Sequence, residues 1–193
     1  MTLFILLLPW LAVTAYLVVM IRVPKGLLPQ ARWDTPPPPV SIIVPARDEE
    51  TNIVPLLESL TALRYPDLEI IVVDDQSSDR TREVTLEASR SRGWTIRLLE
   101  GKPLPPGWFG KPWACHQGSL EANGDLLLFT DADTIHAPDL LDQAVRTLLQ
   151  EEADALTVVG KQMMGSFWER LLQPQFFALL AFRFPRTGVT RGP

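Results

Sequence analysis

Cysteine is almost missing. Cys115 is the only one in 193 residues, so no intrachain disulfide and no cysteine-based zinc site can form. A lone thiol fits a reducing compartment. Histidine is nearly as scarce, and His116 and His136 are too few and too scattered for a His-rich metal site, so both read as structural. Basic residues are outnumbered, 18 Lys and Arg against 23 Asp and Glu. The net charge of -5 leaves no basic stripe and excludes a nucleic-acid surface. There is no internal repeat. No G-x-G-x-x-G follows the first apolar strand, which excludes a dinucleotide-dependent oxidoreductase. Nor does a basic, Gly-rich loop stand there, as a nucleotidyltransferase would need; "PARDEE" is acidic.

Charge is also absent from residues 1–21, "MTLFILLLPWLAVTAYLVVMI". As a helix this stretch would be about 31 Å long, one hydrocarbon core. It lacks the basic start and A-x-A-like site of a cleaved signal peptide. Arg22, Lys25 and Arg32 follow, and basic flanks stay in the cytoplasm. The expectation is a single-pass anchor over 1–22 in the inner membrane with the rest cytoplasmic. A stiff Pro-rich linker over 23–39 contains "TPPPPV", and a domain over 40–165 follows. The remainder, 166–193, includes "SFWERLLQPQFFALLAFRFP". It is too charged to span and is expected to lie in the membrane interface.

Within the domain, apolar runs alternate with helical patterns. "VSIIVPA", "LEIIVVDD", "WTIRLLE", "DLLLFTDAD" and "ADALTVVGKQ" read as five strands. Ile53, Leu56, Leu57, Leu60 and Leu63 recur at helical spacing, with Pro55 tolerated in the first turn. A second helix is expected after a Ser77 or Ser78 cap and ends at Gly93. A third runs from about Pro112 to Ala122, and Pro138 opens a fourth. Such alternation predicts an α/β fold, a parallel-rich sheet with helices on both faces.

Ligands of open α/β sheets bind beyond the carboxyl ends of the strands. Three strands here end in "PARDEE", "VDDQSSD" and "TDADT", which gathers Asp48, Glu49, Asp74, Asp75, Asp131 and Asp133 along one edge. Two carboxylates about 4 Å apart repel by roughly 4 kcal/mol at an effective dielectric near 20. A divalent cation with an anionic ligand turns that cost into attraction. A D-x-D alone could be a turn of solvated aspartates; three acidic clusters together point to a cation or a donor-rich ligand.

The order of "VPARDEE", "IIVVDDQSSDRT", "GWFGKPWACHQG" and "FTDADT" resembles family-2 glycosyltransferases of the GT-A fold, over roughly Val40 to Gly160. With the apolar start and "GKPWA", the chain is most similar to the membrane-anchored branch near carotenoid- and hopanoid-associated glycosyltransferases. The resemblance implies an inverting transferase that moves a sugar from a UDP- or GDP-linked donor to a lipid or lipid-linked acceptor, without nucleic acid. It implies that Pro45, Ala46 and Glu49 line the nucleoside and that Asp75, beside Asp74, accepts a hydrogen bond from the base. Lys111 would lie near the diphosphate. Asp131 would meet the ribose or the metal's waters, and Asp133, beyond Ala132, the metal, Mg2+ or Mn2+. Trp108 and Trp113 are either an acceptor-side wall or core. The family's acidic general base has no match after Gly160; it is expected beyond Pro193, with Glu169 the one acid near. A non-catalytic nucleotide-sugar-binding membrane module and a nucleotidyltransferase of related architecture are the alternatives.

Overall fold

The computed structural model describes residues 26–29, 32–158, 160–161, 163–170, 172–173 and 176. The expected anchor over 1–22 lies outside them, as does most of the aromatic tail. Among the described residues no helix is long and apolar enough to cross a membrane. The chain divides into two compact units, Pro29–Gln143 and the remainder.

The first unit is built in the order β1 (Val40–Ala46), α1 (Ile53–Thr61), β2 (Leu68–Asp74), α2 (Thr81–Arg92), β3 (Ile96–Glu100), α3 (Gly110–Leu120) and β4 (Leu126–Phe129). A fourth helix, α4 (Leu140–Gln150), follows. The strands form one parallel sheet ordered β3-β2-β1-β4. β-branched residues dominate β1 and β2 because both faces of these central strands are covered. Ile42, Ile43, Val44, Ile71, Val72 and Val73 have no exposed surface.

Right-handed crossovers decide which face each helix covers. β1 to β2 and β2 to β3 step in one direction, so α1 and α2 share a face, and they pack on each other. β3 to β4 steps back across the sheet, which sends α3 to the opposite face, where it packs on β1 and β2. There Ile43, Ile71, Val73 and Ala114 form a closed cluster. On α1, Ile53, Leu56, Leu57 and Leu60 are fully buried, each worth about 1.5–3 kcal/mol in removal from water. The helical spacing in the sequence is thus confirmed.

Two expectations on local structure fail. Ser77 and Ser78 do not cap α2, which starts at Thr81; their polar groups bind Asp74 and Asp48 in the preceding loops. Gly93 does end α2, with φ 67°. The fifth strand over "ADALTVVGKQ" is not formed among the described residues. Glu152 takes φ 48° and ends α4, with Ala153 N donating to the Leu148 carbonyl, and Leu156 and Val158 are exposed. β propensity without a neighbouring ladder makes no strand. Among the described residues β4 pairs only with β1, and its Leu127 and Phe129 are about half exposed rather than buried.

α3 lies close to the sheet because Gly118 has no side chain. A Cβ there would sit 2.5 Å from Ile43 Cγ2 and 3.1 Å from Val73 Cγ2, both on stiff β-branched residues. Gly118→Ala is expected to lower the unfolding free energy by about 1–3 kcal/mol, read from the urea midpoint at constant slope.

Candidate functional site

The site starts where pairing between β1 and β4 stops. Ile43 is the last β1 residue in register with β4, opposite Phe129, and its carbonyl accepts Thr130 N–H at 3.2 Å. Two residues on, Pro45 points its backbone the same way but has no N–H to continue the ladder. On the other side β1 goes on pairing with β2 as far as Ala46 and Asp74. β1 and β4 therefore part at the point where strand order reverses, the crevice in which open α/β sheets bind ligands. Pro45, half-buried, and Ala46, buried, end β1 at this point.

The loops after β1 and β2 are stitched together. Asp48, at φ 56°, accepts from Ser78 N at 2.7 Å and Ser78 Oγ at 3.0 Å. Glu49 N donates to Thr81 Oγ1 at 2.7 Å, and Glu50 N donates to Asp79 Oδ2 at 3.1 Å. The Ser78 N–H holds the Asp48 carboxyl below the ordinary carboxylate range. Asp74 is buried, its Oδ1 accepting from Ser77 N at 3.2 Å. Asp48 and Asp74 thus act as loop clamps. Glu49 is half-buried, with Oε2 bound to Asn52 Nδ2 at 2.7 Å.

Asp75, Lys111 and Asp131 are brought together by α3. Asp75 is only 8% exposed, with Arg47 Nη1 at 3.9 Å, and a Cβ on Gly110 would lie 3.3 Å from its Oδ2. The amino end of α3 therefore abuts Asp75, an arrangement favoured by the helix dipole. One residue along, Lys111 Nζ lies 2.6 Å from Asp131 Oδ1. The like-charge cost of the D-x-D is thus relieved by a lysine of the same chain. Ala132 is buried and Asp133 exposed.

The turn bearing these aspartates is held by His136. His136 Nε2 lies 2.8 Å from Thr130 Oγ1, Thr130 Oγ1 lies 2.8 Å from Thr134 Oγ1, and Thr134 Oγ1 donates to the Asp131 carbonyl at 2.8 Å. With Nε2 protonated, this run of donors ends on Asp131 itself. His136 N–H also donates to Ser59 Oγ of α1 at 3.1 Å. The histidine is structural, as expected, but the structure it supports is the D-x-D turn. No spacing rule in the sequence links it to Thr130.

Trp108, Trp113 and His116 cluster at the start of α3, with Trp108 stacked on His116 at 4.9 Å between centroids. Trp113 Nε1 donates to the Lys102 carbonyl at 3.0 Å, and Lys102 N–H donates to Gln117 Oε1 at 2.7 Å. Gln117, unnoticed in the sequence, ties the Pro-rich loop to α3. Trp108 stays 40% exposed, so it is not core.

Glu169, in the other unit, is engaged elsewhere. Its Oε2 accepts from Gly165 N at 2.7 Å and Ser166 N at 3.1 Å, while Ser166 Oγ accepts from Glu169 N at 3.2 Å. This reciprocal cap of a short helical turn lowers the carboxyl below its ordinary range, Ser166 N–H being the main cause. A base poised near neutrality needs the opposite shift.

Among the described residues no group of three or more His, Cys, Asp or Glu could hold a metal ion. The oxygen-only pair of Asp131 and Asp133 still fits a hard divalent cation that takes its other ligands from diphosphate and water.

Comparison with known proteins identifies the family. The model of glycosyl transferase family 2 matches residues 41–191, and the chain belongs to that family. It is 39% identical over 126 residues to the probable glycosyltransferase YdaM of Bacillus subtilis (strain 168), covering 64% of this chain and 29% of that protein. It is 35% identical over 139 residues to the 4,4'-diaponeurosporenoate glycosyltransferase of Staphylococcus aureus (strain USA300), covering 67% and 34%. The chain thus spans about a third of the length of these curated relatives. Among solved structures it is similar to the mannosyltransferase PcManGT of Pyrobaculum calidifontis in complex with GDP-Man and Mn2+. The TM-score is 0.61 at 27% identity, over 80% of this chain and 45% of that one. S. aureus TarS in complex with UDP-GlcNAc matches with a TM-score of 0.50 at 27% identity, over 68% and 38%.

Burial lowers the His136 pKa from its ordinary 6.5, so the folded protein binds that proton less readily than the unfolded chain. The stabilisation is complete above about pH 6.5 and is lost as pH falls from there through the lowered value. His136→Ala is expected to cost about 1 kcal/mol at neutral pH and to remove this part of the pH dependence, measured by urea unfolding between pH 5 and pH 8.

Proposed function

We propose that the Pro29–Gln143 unit is the donor-binding part of an inverting glycosyltransferase. The transferase moves a sugar from a UDP- or GDP-linked donor to a lipid or lipid-linked hydroxyl at the cytoplasmic face of the inner membrane. One observation carries the reading: Gly110 at the amino end of α3 abuts Asp75, and Lys111 beside it pairs with Asp131, just past the point where β4 parts from β1. Pro45, Ala46 and Glu49 line the nucleoside, and Asp75 accepts from the base, with Asp74 fixing its backbone. The diphosphate lies against the start of α3, where helix N–H groups and Lys111 face it. Asp133, with Asp131, holds Mg2+ or Mn2+, which when bound stabilises charge on the departing nucleoside diphosphate. The relatives with GDP-Man, UDP-GlcNAc and Mn2+ bound support the donor class and the metal. The diaponeurosporenoate relative and the uncharged start followed by Arg22, Lys25 and Arg32 support the acceptor and the location.

In the transfer, an acceptor oxygen attacks the anomeric carbon as the bond from that carbon to the diphosphate oxygen breaks, and the hydroxyl proton passes to a base. Three of the described acids are engaged in other ways. Asp74 and Asp48 are clamps, and Glu169 is a helix cap.

Calorimetry with UDP and GDP, each with and without Mn2+, tests the donor site. Metal-dependent binding of one nucleotide is expected, weakened at least about 10-fold in Asp133→Asn, the loss that even an outer-shell partner's removal brings to a metal. Equal affinity in all combinations would refute it. Glu169→Gln is expected to leave nucleotide affinity within about twofold of wild type, since a helix cap contributes to local stability alone; a large loss of binding or of any sugar transfer would give Glu169 a role at the site.

A further inference from the structure

We propose that Lys111 is a tethered cation that holds Asp131 until a diphosphate draws it away, so that divalent metal and nucleoside diphosphate bind together rather than independently. The inference rests on the donor-site reading above and goes beyond it in assigning Lys111 a role when no donor is bound. Its basis is the 2.6 Å contact between Lys111 Nζ and Asp131 Oδ1. Both backbones are fixed. Lys111 is the second residue of α3, whose Ala114 and Gly118 are buried against the sheet. Asp131 sits in the turn held by Thr134 and His136. Both side chains are 56% exposed, so the pair can open at little cost, and lysine is a compact charge on a flexible stem.

While Lys111 is docked, a metal ion approaching Asp131 meets a positive charge already in place. A diphosphate at the start of α3 offers the ammonium stronger, charge-assisted acceptors. Lys111 then leaves Asp131, and Asp131 and Asp133 are both open to the cation. Linkage makes the effect reciprocal: whatever factor the nucleotide adds to metal affinity, the metal adds to nucleotide affinity. Removing the lysine charge should therefore strengthen binding of metal alone while weakening binding of nucleotide alone. A lysine serving solely as a diphosphate ligand would change the second and leave the first untouched.

The test is titration of the full chain with Mn2+ alone, and separately with GDP or UDP alone, in wild type, Lys111→Gln and Lys111→Arg. Thermal melts check that each variant is folded. An exposed unit-charge pair is worth up to about fivefold, and a divalent ion squares that factor. Lys111→Gln should thus bind Mn2+ alone about 5- to 25-fold more tightly, Lys111→Arg should resemble wild type, and nucleotide alone should bind Lys111→Gln more weakly. Unchanged or weaker Mn2+ binding by Lys111→Gln, with nucleotide still bound by wild type, overturns the latch and leaves the donor site standing. Absence of both Mn2+ and nucleotide binding in all three proteins overturns the donor site and the latch together.

Discussion

The crevice depends on a hydrogen bond that Pro45 cannot make. A residue with an N–H at that position could extend the ladder between β1 and β4 past Ile43 and Phe129, closing the sheet where strand order reverses. With proline there, β1 stays paired to β2 through Ala46 while the chain after Phe129 is free to turn. Everything placed at the site hangs from that divergence. Asp75 leaves β2 with its N–H on the Ala46 carbonyl, and Asp131 enters the turn directly after Thr130.

The acidic crowding at this edge is resolved by division of roles. Asp48, Glu50 and Asp79 accept or exchange hydrogen bonds across two adjacent loops, which ties the ends of β1 and β2 together. Asp74 closes its own turn. Asp75 lies against a helix amino terminus and Asp131 against Lys111. The charges of Asp75 and Asp131 are thus each met from α3, by its amino terminus and by Lys111.

Several residues could not be sorted by their neighbours in sequence. Asp48 and Asp131 are both exposed acids following apolar strands, yet one clamps a neighbouring loop and the other pairs with a lysine. What separates them is a contact across about 30 positions, Asp48 to Ser78, and another between Lys111 and Asp131. The importance of His136 is equally remote from its spacing, because it acts through two threonine hydroxyls. The fifth strand failed for a related reason: a β-rich segment becomes a strand only beside a partner, and partners are a property of the sheet.

The sequence by itself determined the parallel α/β class, the positions of β1, β2 and α1, and the acidic ends of three strands. It also determined the family. These follow from side-chain periodicity, β-branching and local turn chemistry, which act over a few residues. Strand order β3-β2-β1-β4, the crevice between β1 and β4, and the pairing of Lys111 with Asp131 were decided only by tertiary structure. Crossover handedness and packing bring those groups together from separate loops, and no local pattern encodes the distance between them.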